Sequence, residues 1–199
     1  MYCSSIDSSN GVIDEYAFEA KAQKRSLDFT DKFQKKFVTD HWTTDEVNAG
    51  RHALSNMLGG IIYLHGTTLK YSFDGSTRRV IESQPRILFS DTPSRTTFAR
   101  GFLWDSGFHN LLIQEWDVRL TLRILDSWLS LIEDDGWIAR EQIPGPEARQ
   151  PVPDSLRIQN PKFANPPGLM LTVSKLLEKA ISADPNEDKD GLREALVSA

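Results

Sequence analysis

The chain has 199 residues, and 23 Lys and Arg against 28 Asp and Glu give a net charge of −5 with His neutral. Hydrophobic residues make up 39% and charged residues 26%, which is typical of a globular domain and excludes whole-chain disorder. The acidic balance argues against nucleic-acid binding, and no apolar run approaches the roughly 20 residues of a membrane span. A lone cysteine, Cys3, excludes an internal disulfide and any multi-cysteine metal site.

The N-terminal half predicts two helices and a long irregular segment. Residues 1–13 are rich in Ser and lack periodicity, so we expect a disordered lead without a targeting signal. Apolar spacing predicts helices over about 14–38 and 44–64. Gly59-Gly60 falls inside the second helix, where a close helix crossing is favoured over a hinge or a ligand contact. Residues 65–99 have no helical period and are expected to contain short strands at most.

The C-terminal half predicts two more helices. Two apolar stripes over 118–133 indicate a helix that is buried between layers and stops at Gly136. Five prolines mark 137–165 as irregular, and Asn165 is expected to cap the helix that follows. No strand–helix alternation is present, so the predicted fold class is all-α with long loops.

The segment 95–109 contains a set of side chains suited to holding a sugar. Trp104 can stack on the apolar face of a pyranose, and Asp105 can accept charge-assisted hydrogen bonds from adjacent hydroxyls. Arg100 and Phe102 stand beside them. The alternative is that Trp104 and Phe102 belong to the core and that Asp105 caps a short helix over 106–113.

Two further polar clusters have structural alternatives of their own. Glu141 and Gln142 follow Arg140 between apolar residues, and an Arg–Glu surface pair is the alternative to a binding role. Arg149 lies in a loop that prolines could pin for structural reasons alone. The four histidines lack the spacing of a metal site, and a Ser/His/Asp triad from the 105–109 segment is excluded because these residues are too close in sequence.

A series of motifs carries a family resemblance, and their order and spacing match throughout. The motifs are Pro93-Ser94-Arg95, Arg100-Gly101-Phe102-Leu103-Trp104-Asp105, Gly107-Phe108-His109, Trp116-Asp117, Trp128-Leu129, Asp135-Gly136-Trp137-Ile138, Arg140-Glu141-Gln142-Ile143, Glu147-Ala148-Arg149, Val152-Pro153, Gln159 and Ala164-Asn165-Pro166-Pro167. With these motifs the chain closely resembles processing α-glucosidase I, glycoside hydrolase family 63, most strongly over 93–170 and more weakly over 45–66.

The resemblance implies an incomplete (α/α)6 toroid, with residues 14–199 as the N-terminal part of its catalytic domain. It also implies inverting removal of the terminal α-1,2-linked glucose from the glucosylated high-mannose oligosaccharide of glycoproteins. The family works in the lumen of the endoplasmic reticulum, is anchored in the membrane, and uses no metal or organic cofactor. This chain shows no targeting signal and no membrane segment of its own.

The resemblance transfers binding roles to this chain but no catalytic residue. The family's general acid and base lie in segments that this chain lacks, so the isolated chain is expected to be inactive. Asp105 is not assigned as the acid, because a carboxylate beside Arg100 is expected to stay ionised. The implied substrate-binding residues are Arg100, Phe102, Trp104, Asp105, Glu141, Gln142 and Arg149.

Two other interpretations remain open at the level of sequence. The chain could be a stand-alone glycan-binding or degenerate module without catalysis, or a helical domain whose aromatic motifs form only its core. The continuous series of motifs over 93–167 argues against the second of these.

Overall fold

The computed structural model of the chain describes residues 15–182, so the predicted disordered lead lies outside the described residues. About 52% of the described part is helical and 18% is strand. The six α-helices in this part are α1 (Glu15–Phe37), α2 (Thr44–Leu58), α3 (Leu103–Trp116), α4 (Val118–Leu129), α5 (Gly145–Arg149) and α6 (Gly168–Ser182), and a 3-10 helix spans Asp154–Leu156. The seven strands there are β1 (Ile62–Gly66), β2 (Leu69–Asp74), β3 (Thr77–Glu82), β4 (Arg86–Ser90), β5 (Gly101–Phe102), β6 (Glu141–Gln142) and β7 (Ile158–Gln159).

The prediction of an all-α fold class is wrong, because the chain forms a mixed α/β structure with three small sheets. One sheet pairs β1 with β4, the second has the order β3-β2-β7, and the third pairs β5 with β6. The β2–β3 hairpin turns at Gly75-Ser76, where Gly75 adopts a φ of +58°. A two-residue loop that begins with glycine is a local hairpin signal, because glycine enters the left-handed region at little cost. The strands thus extend beyond the 65–99 segment in which short strands were allowed.

Helix α2 is shorter than predicted, and the strand that follows it accounts for part of the difference between the predicted and the observed fold class. It stops at Leu58, and the residues expected to extend its apolar stripe form β1 instead. Gly60 lies after the helix and packs against the segment that follows β4, where Thr92 Oγ1 donates to the Gly60 carbonyl over 3.0 Å. The glycine pair therefore ends a helix, and the expected helix crossing at this point is wrong.

The described residues divide into two compact units, one up to His52 and one from Ala53 onward. In the first unit the buried Phe33 ring lies 5.5 Å from Phe37 and 6.4 Å from Trp42, measured between ring centroids. Helix α2 begins with a capping box, because Thr43 N donates to Glu46 Oε2 over 2.7 Å and Glu46 N donates to Thr43 Oγ1 over 3.3 Å.

The main core lies in the second unit, where α3, α4 and α6 pack with β4. Its largest fully buried side chain is Trp128 of α4, whose indole Nε1 donates to Ser90 Oγ over 2.9 Å. Of the two apolar stripes predicted for this helix, the one through Ile124 and Trp128 is buried, whereas the other ends at the exposed Leu129. Val118 and Leu125 of this other stripe are buried as well, so the predicted burial of two stripes holds except toward the C-terminal end of the second one.

Two glycines bring α3 and α6 into direct backbone contact. Gly107 of α3 lies against the backbone of Gly168, and Thr172 Oγ1 donates to the Gly107 carbonyl over 2.7 Å. Helix α6 begins only at Gly168, and both polar side-chain atoms of Asn165 are buried without a hydrogen bond. The predicted cap at Asn165 is therefore wrong. No helix in the described part of the chain has the length and apolar character to cross a membrane.

Candidate functional site

Trp104 and Asp105 lie in the first turn of α3, directly after β5. Phe102 precedes this helix in an extended conformation, and Leu103 N donates to the carbonyl of Arg140 over 3.0 Å. Strand β5 pairs with β6, so the start of α3 is fixed to a segment about 40 residues further along the chain. The half-buried Trp104 ring meets Phe108 edge to face, at 5.7 Å between centroids.

Arg100 and Glu141 form a buried ion pair beneath this turn. Arg100 Nε donates to Glu141 Oε2 over 2.9 Å, and the two side chains are only 6% and 13% exposed. The guanidinium carbon lies 4.6 Å from the centroid of the Phe102 ring, which is cation–π geometry. Glu141 therefore belongs to a buried ion pair and not to the Arg–Glu surface pair that the sequence analysis gave as the alternative to a binding role. It ties β5 and β6 together directly before Trp104.

Gln142 and Arg149 have different surroundings. Gln142 is buried, and its Nε2 donates to the Ala139 carbonyl over 3.5 Å. Arg149, on α5, donates to the carbonyl and the Oγ1 of Thr67 and to Glu82 Oε1, the last over 3.0 Å. The structure thus brings together Arg100, Phe102 and Glu141 at the base of α3, and it engages Arg149 with the β1–β2 connection and β3.

Sequence reasoning missed Asp91, which lies after β4 and is 1% exposed. Its Oδ1 accepts hydrogen bonds from Ser106 Oγ over 2.6 Å and from Asn110 Nδ2 over 3.1 Å. Its Oδ2 accepts a hydrogen bond from Nδ1 of His109. A signal was available, because Ser106, His109 and Asn110 form a polar stripe at helical spacing on a largely apolar helix.

The pKa of His109 is raised above its ordinary value of 6.5. Burial of the imidazole acts in the opposite direction, because it disfavours the charged form. The hydrogen bond to Asp91 and the negative charges of Asp91 and Asp105 outweigh that effect. The excluded triad does not form, since Ser106 and His109 both bind Asp91 instead.

His109 also lines a cleft of about 410 Å³, a volume in the range of small-ligand sites, about 300–1,000 Å³. The other walls are the end of α2 and the segment that follows Asp91. The full lining consists of Asn56, Met57, Gly60, Thr92, Pro93, Ser94, Arg95, Thr96 and His109. Hydroxyl, amide and guanidinium groups therefore alternate with the apolar surfaces of Met57 and Pro93. Within this lining, Arg95 Nη2 donates to Asn56 Oδ1 over 3.4 Å.

No group of three or more His, Cys, Asp or Glu residues in the described part of the chain is arranged to hold a metal ion.

Comparison with known proteins gives consistent matches along most of the chain. The model of the glycosyl hydrolase family 63 C-terminal domain matches residues 13–198. A mannosyl-oligosaccharide glucosidase of Arabidopsis thaliana is 40% identical over 185 residues, which are 88% of this chain and 22% of that protein. A mannosyl-oligosaccharide glucosidase of Saccharomyces cerevisiae is 45% identical over 156 residues, which are 73% of this chain and 19% of that protein.

A third relative carries a different name. The alpha-glucosidase 2 of Arabidopsis thaliana is 39% identical over 175 residues, which are 84% of this chain and 22% of that protein. The chain thus spans about a fifth of the length of these three relatives.

Proposed function

The chain belongs to glycosyl hydrolase family 63, and on that premise we propose that it forms part of the sugar-binding cleft of a glycoprotein-processing glucosidase. The substrate is a glucosylated high-mannose oligosaccharide, from which the enzyme removes the terminal α-1,2-linked glucose with inversion. The activity is proposed to take place in the lumen of the endoplasmic reticulum. Family membership and the names of two relatives support this reaction class.

One observation carries the assignment of the site. The first turn of α3 carries an aromatic ring and a carboxylate at adjacent positions, Trp104 and Asp105, neither of which is fully buried. A pyranose offers a C–H face that packs on an aromatic ring and a rim of hydroxyls that donate to a carboxylate. We assign Trp104 to stacking and Asp105 to hydroxyl binding.

The position of Asp105 connects this turn to the cleft. Asp105 and His109 are four residues apart on α3, so they share a helix face. The charge of Asp105 acts on the pKa of His109, and His109 lines the cleft. A sugar that binds Asp105 would therefore extend toward the hydroxyl-rich wall over 92–96.

The other residues implied by the resemblance are assigned supporting parts. Arg100, Phe102 and Glu141 hold the start of α3 in place through their ion pair and cation–π contact. Gln142 stabilises the segment before β6 through its hydrogen bond to the Ala139 carbonyl. Arg149 fixes α5 to the β1–β2 connection through Thr67. The proposal gives these residues binding and positioning roles and no proton-transfer step.

The test is the binding of a disaccharide of two α-1,2-linked glucose units to the 199-residue chain, measured by calorimetry. Trp104→Ala and Asp105→Asn are each expected to weaken binding by at least about tenfold. Trp137→Ala is the matched control, because this half-buried tryptophan lies outside α3 and its Nε1 donates to the Phe163 carbonyl over 3.2 Å. Equal weakening by all three variants, or no binding by the unmodified chain, contradicts the assignment.

A further inference from the structure

Asp91 is a buried carboxylate that the proposed sugar-binding residues do not include. It is 1% exposed, and its three side-chain partners, Ser106, His109 and Asn110, lie on one face of α3. Burying an ionised carboxylate is unfavourable unless hydrogen bonds satisfy its lone pairs. Here both oxygens are used, and every donor comes from the helix that carries Trp104 and Asp105.

The hydrogen bond to Asp91 determines which ring nitrogen of His109 is left for other contacts. Nδ1 is committed to Asp91 Oδ2, so the proton of a neutral ring resides on Nδ1. Nε2 is the remaining nitrogen, and the side chain is 22% exposed where it lines the cleft. A carboxylate behind a histidine fixes the orientation of its second nitrogen in the same way at metal sites, where histidine is the metal ligand.

We propose that His109 is a sugar-binding residue of the cleft and that Asp91 is its positioning residue, which directs Nε2 toward a ligand hydroxyl. The inference rests on the proposed function and deepens it, because it adds the cleft wall formed by His109, Asn56 and Arg95 to the sugar site. The wall supplies further polar groups at Ser94 and Thr96, whose hydroxyl oxygens lie 3.3 Å apart.

The charged groups around His109 give this contact a pH dependence. Asp91 and Asp105 are anionic and stabilise the imidazolium, whereas Arg95 in the same cleft wall is cationic. The raised pKa of His109 extends the pH range over which Nε2 carries a proton and donates. Above that pKa, Nε2 becomes an acceptor, so the hydrogen bond to a given hydroxyl changes direction.

The test combines NMR titration of the imidazole with disaccharide binding on the same 199-residue chain. Asp91→Asn preserves shape but removes the charge, so we expect the pKa of His109 to fall and the affinity at pH 6 to drop about tenfold. His109→Gln is expected to weaken binding to a similar extent and to abolish its pH dependence. His65→Gln, at an exposed position on β1, is the control and leaves both unchanged.

The outcomes separate this inference from the proposed function. If Trp104→Ala weakens binding while His109→Gln does not, the proposed site stands and the role of His109 is overturned. If the pKa of His109 is unchanged in Asp91→Asn, the positioning role is overturned. If Asp91→Asn fails to fold, His109→Gln, at a partly exposed position, still decides whether His109 binds the sugar. The positioning role of Asp91 is then decided by the pKa of His109 in Asp91→Glu, a variant that retains the charge. Failure of the unmodified chain to bind the disaccharide overturns both proposals.

Discussion

Gly168 lies directly against the main chain of Trp104, so that a Cβ atom on Gly168 would stand 2.6 Å from the Trp104 carbonyl oxygen. The neighbouring contact is closer still, because a Cβ atom on Gly107 would stand 2.1 Å from the carbonyl carbon of Gly168. Helix α6 therefore supports the turn of α3 that carries the proposed sugar-binding pair. Glycine is required at both positions because the backbones meet without room for a side chain.

Gly168→Ala is expected to destabilise the chain by about 1–3 kcal/mol, because the added methyl must displace backbone atoms. Urea unfolding followed by circular dichroism measures this loss. Ser174→Ala, at an exposed position of the same helix, is the control and should leave the midpoint nearly unchanged. A Gly168→Ala variant as stable as the unmodified chain would show that α6 does not pack on α3 in this way.

The Arg100–Glu141 ion pair makes a second prediction about stability. Removing one partner with Glu141→Gln leaves a buried guanidinium without its counter-charge, which is expected to cost about 3–5 kcal/mol. The exposed pair of Lys175 and Glu178, with side chains 51% and 59% exposed, provides the control. Glu178→Gln is expected to cost about 0–1 kcal/mol.

A double variant tests the origin of that cost. Arg100→Met with Glu141→Leu removes both charges, and it should recover most of the stability that the single variant loses. If the double variant is as unstable as Glu141→Gln, the loss comes from packing around Phe102 rather than from an uncompensated charge. Denaturant midpoints of the two variants decide between these explanations.

The sequence predicted the helices well where their periodicity was long and strong. Helix α1 spans Glu15–Phe37 against a predicted 14–38, and the buried stripe of α4 was identified. Strands β5, β6 and β7, outside the 65–99 segment, were missed because they depend on partners that are distant in sequence. Strand β7 at Ile158 pairs with β2 at Leu69, and no local pattern indicates such a contact.

The residues of the candidate site likewise divide into those that a local motif indicates and those that depend on contacts between distant parts of the sequence. Trp104 and Asp105 could be proposed from a local motif, because both lie within one turn of helix. The burial of Arg100 against Glu141 could not be derived, since 41 residues separate them and an adjacent Arg140 offered a simpler partner. Asp91 was missed because its role depends on three side chains of α3 that are 15 to 19 residues away and that only the tertiary fold brings to it.

Asp105→Asn tests the proposed role in a glucosidase that contains this segment. The amide keeps the size of the side chain but loses the charge that binds sugar hydroxyls, so kcat/KM is expected to fall by about 100-fold. The measurement is release of glucose from an α-1,2-linked glucoside. Asp126→Asn, an exposed carboxylate on α4, should leave the rate unchanged. Near-normal turnover by Asp105→Asn would remove this residue from the site.

The Asp91–His109 pair predicts that stability depends on pH. The pKa of His109 in the folded chain is raised above the ordinary value of 6.5. The folded state therefore binds the proton more tightly than the unfolded state does, and its stabilisation is fully present below pH 6.5. It is lost as the pH rises through the raised pKa of the folded chain. His109→Gln lacks this contribution, so the difference in stability between the two proteins should shrink with increasing pH.

Urea unfolding at intervals from about pH 5.5 to 8.5 measures this difference, with His65→Gln as the control for loss of an exposed histidine. The control should follow the unmodified chain across the whole range. A constant difference between the unmodified chain and His109→Gln would mean that the imidazole is held only by packing. In that case the charge of Asp91 would not stabilise His109, and the affinity of the cleft for sugars should show no dependence on the protonation of this residue.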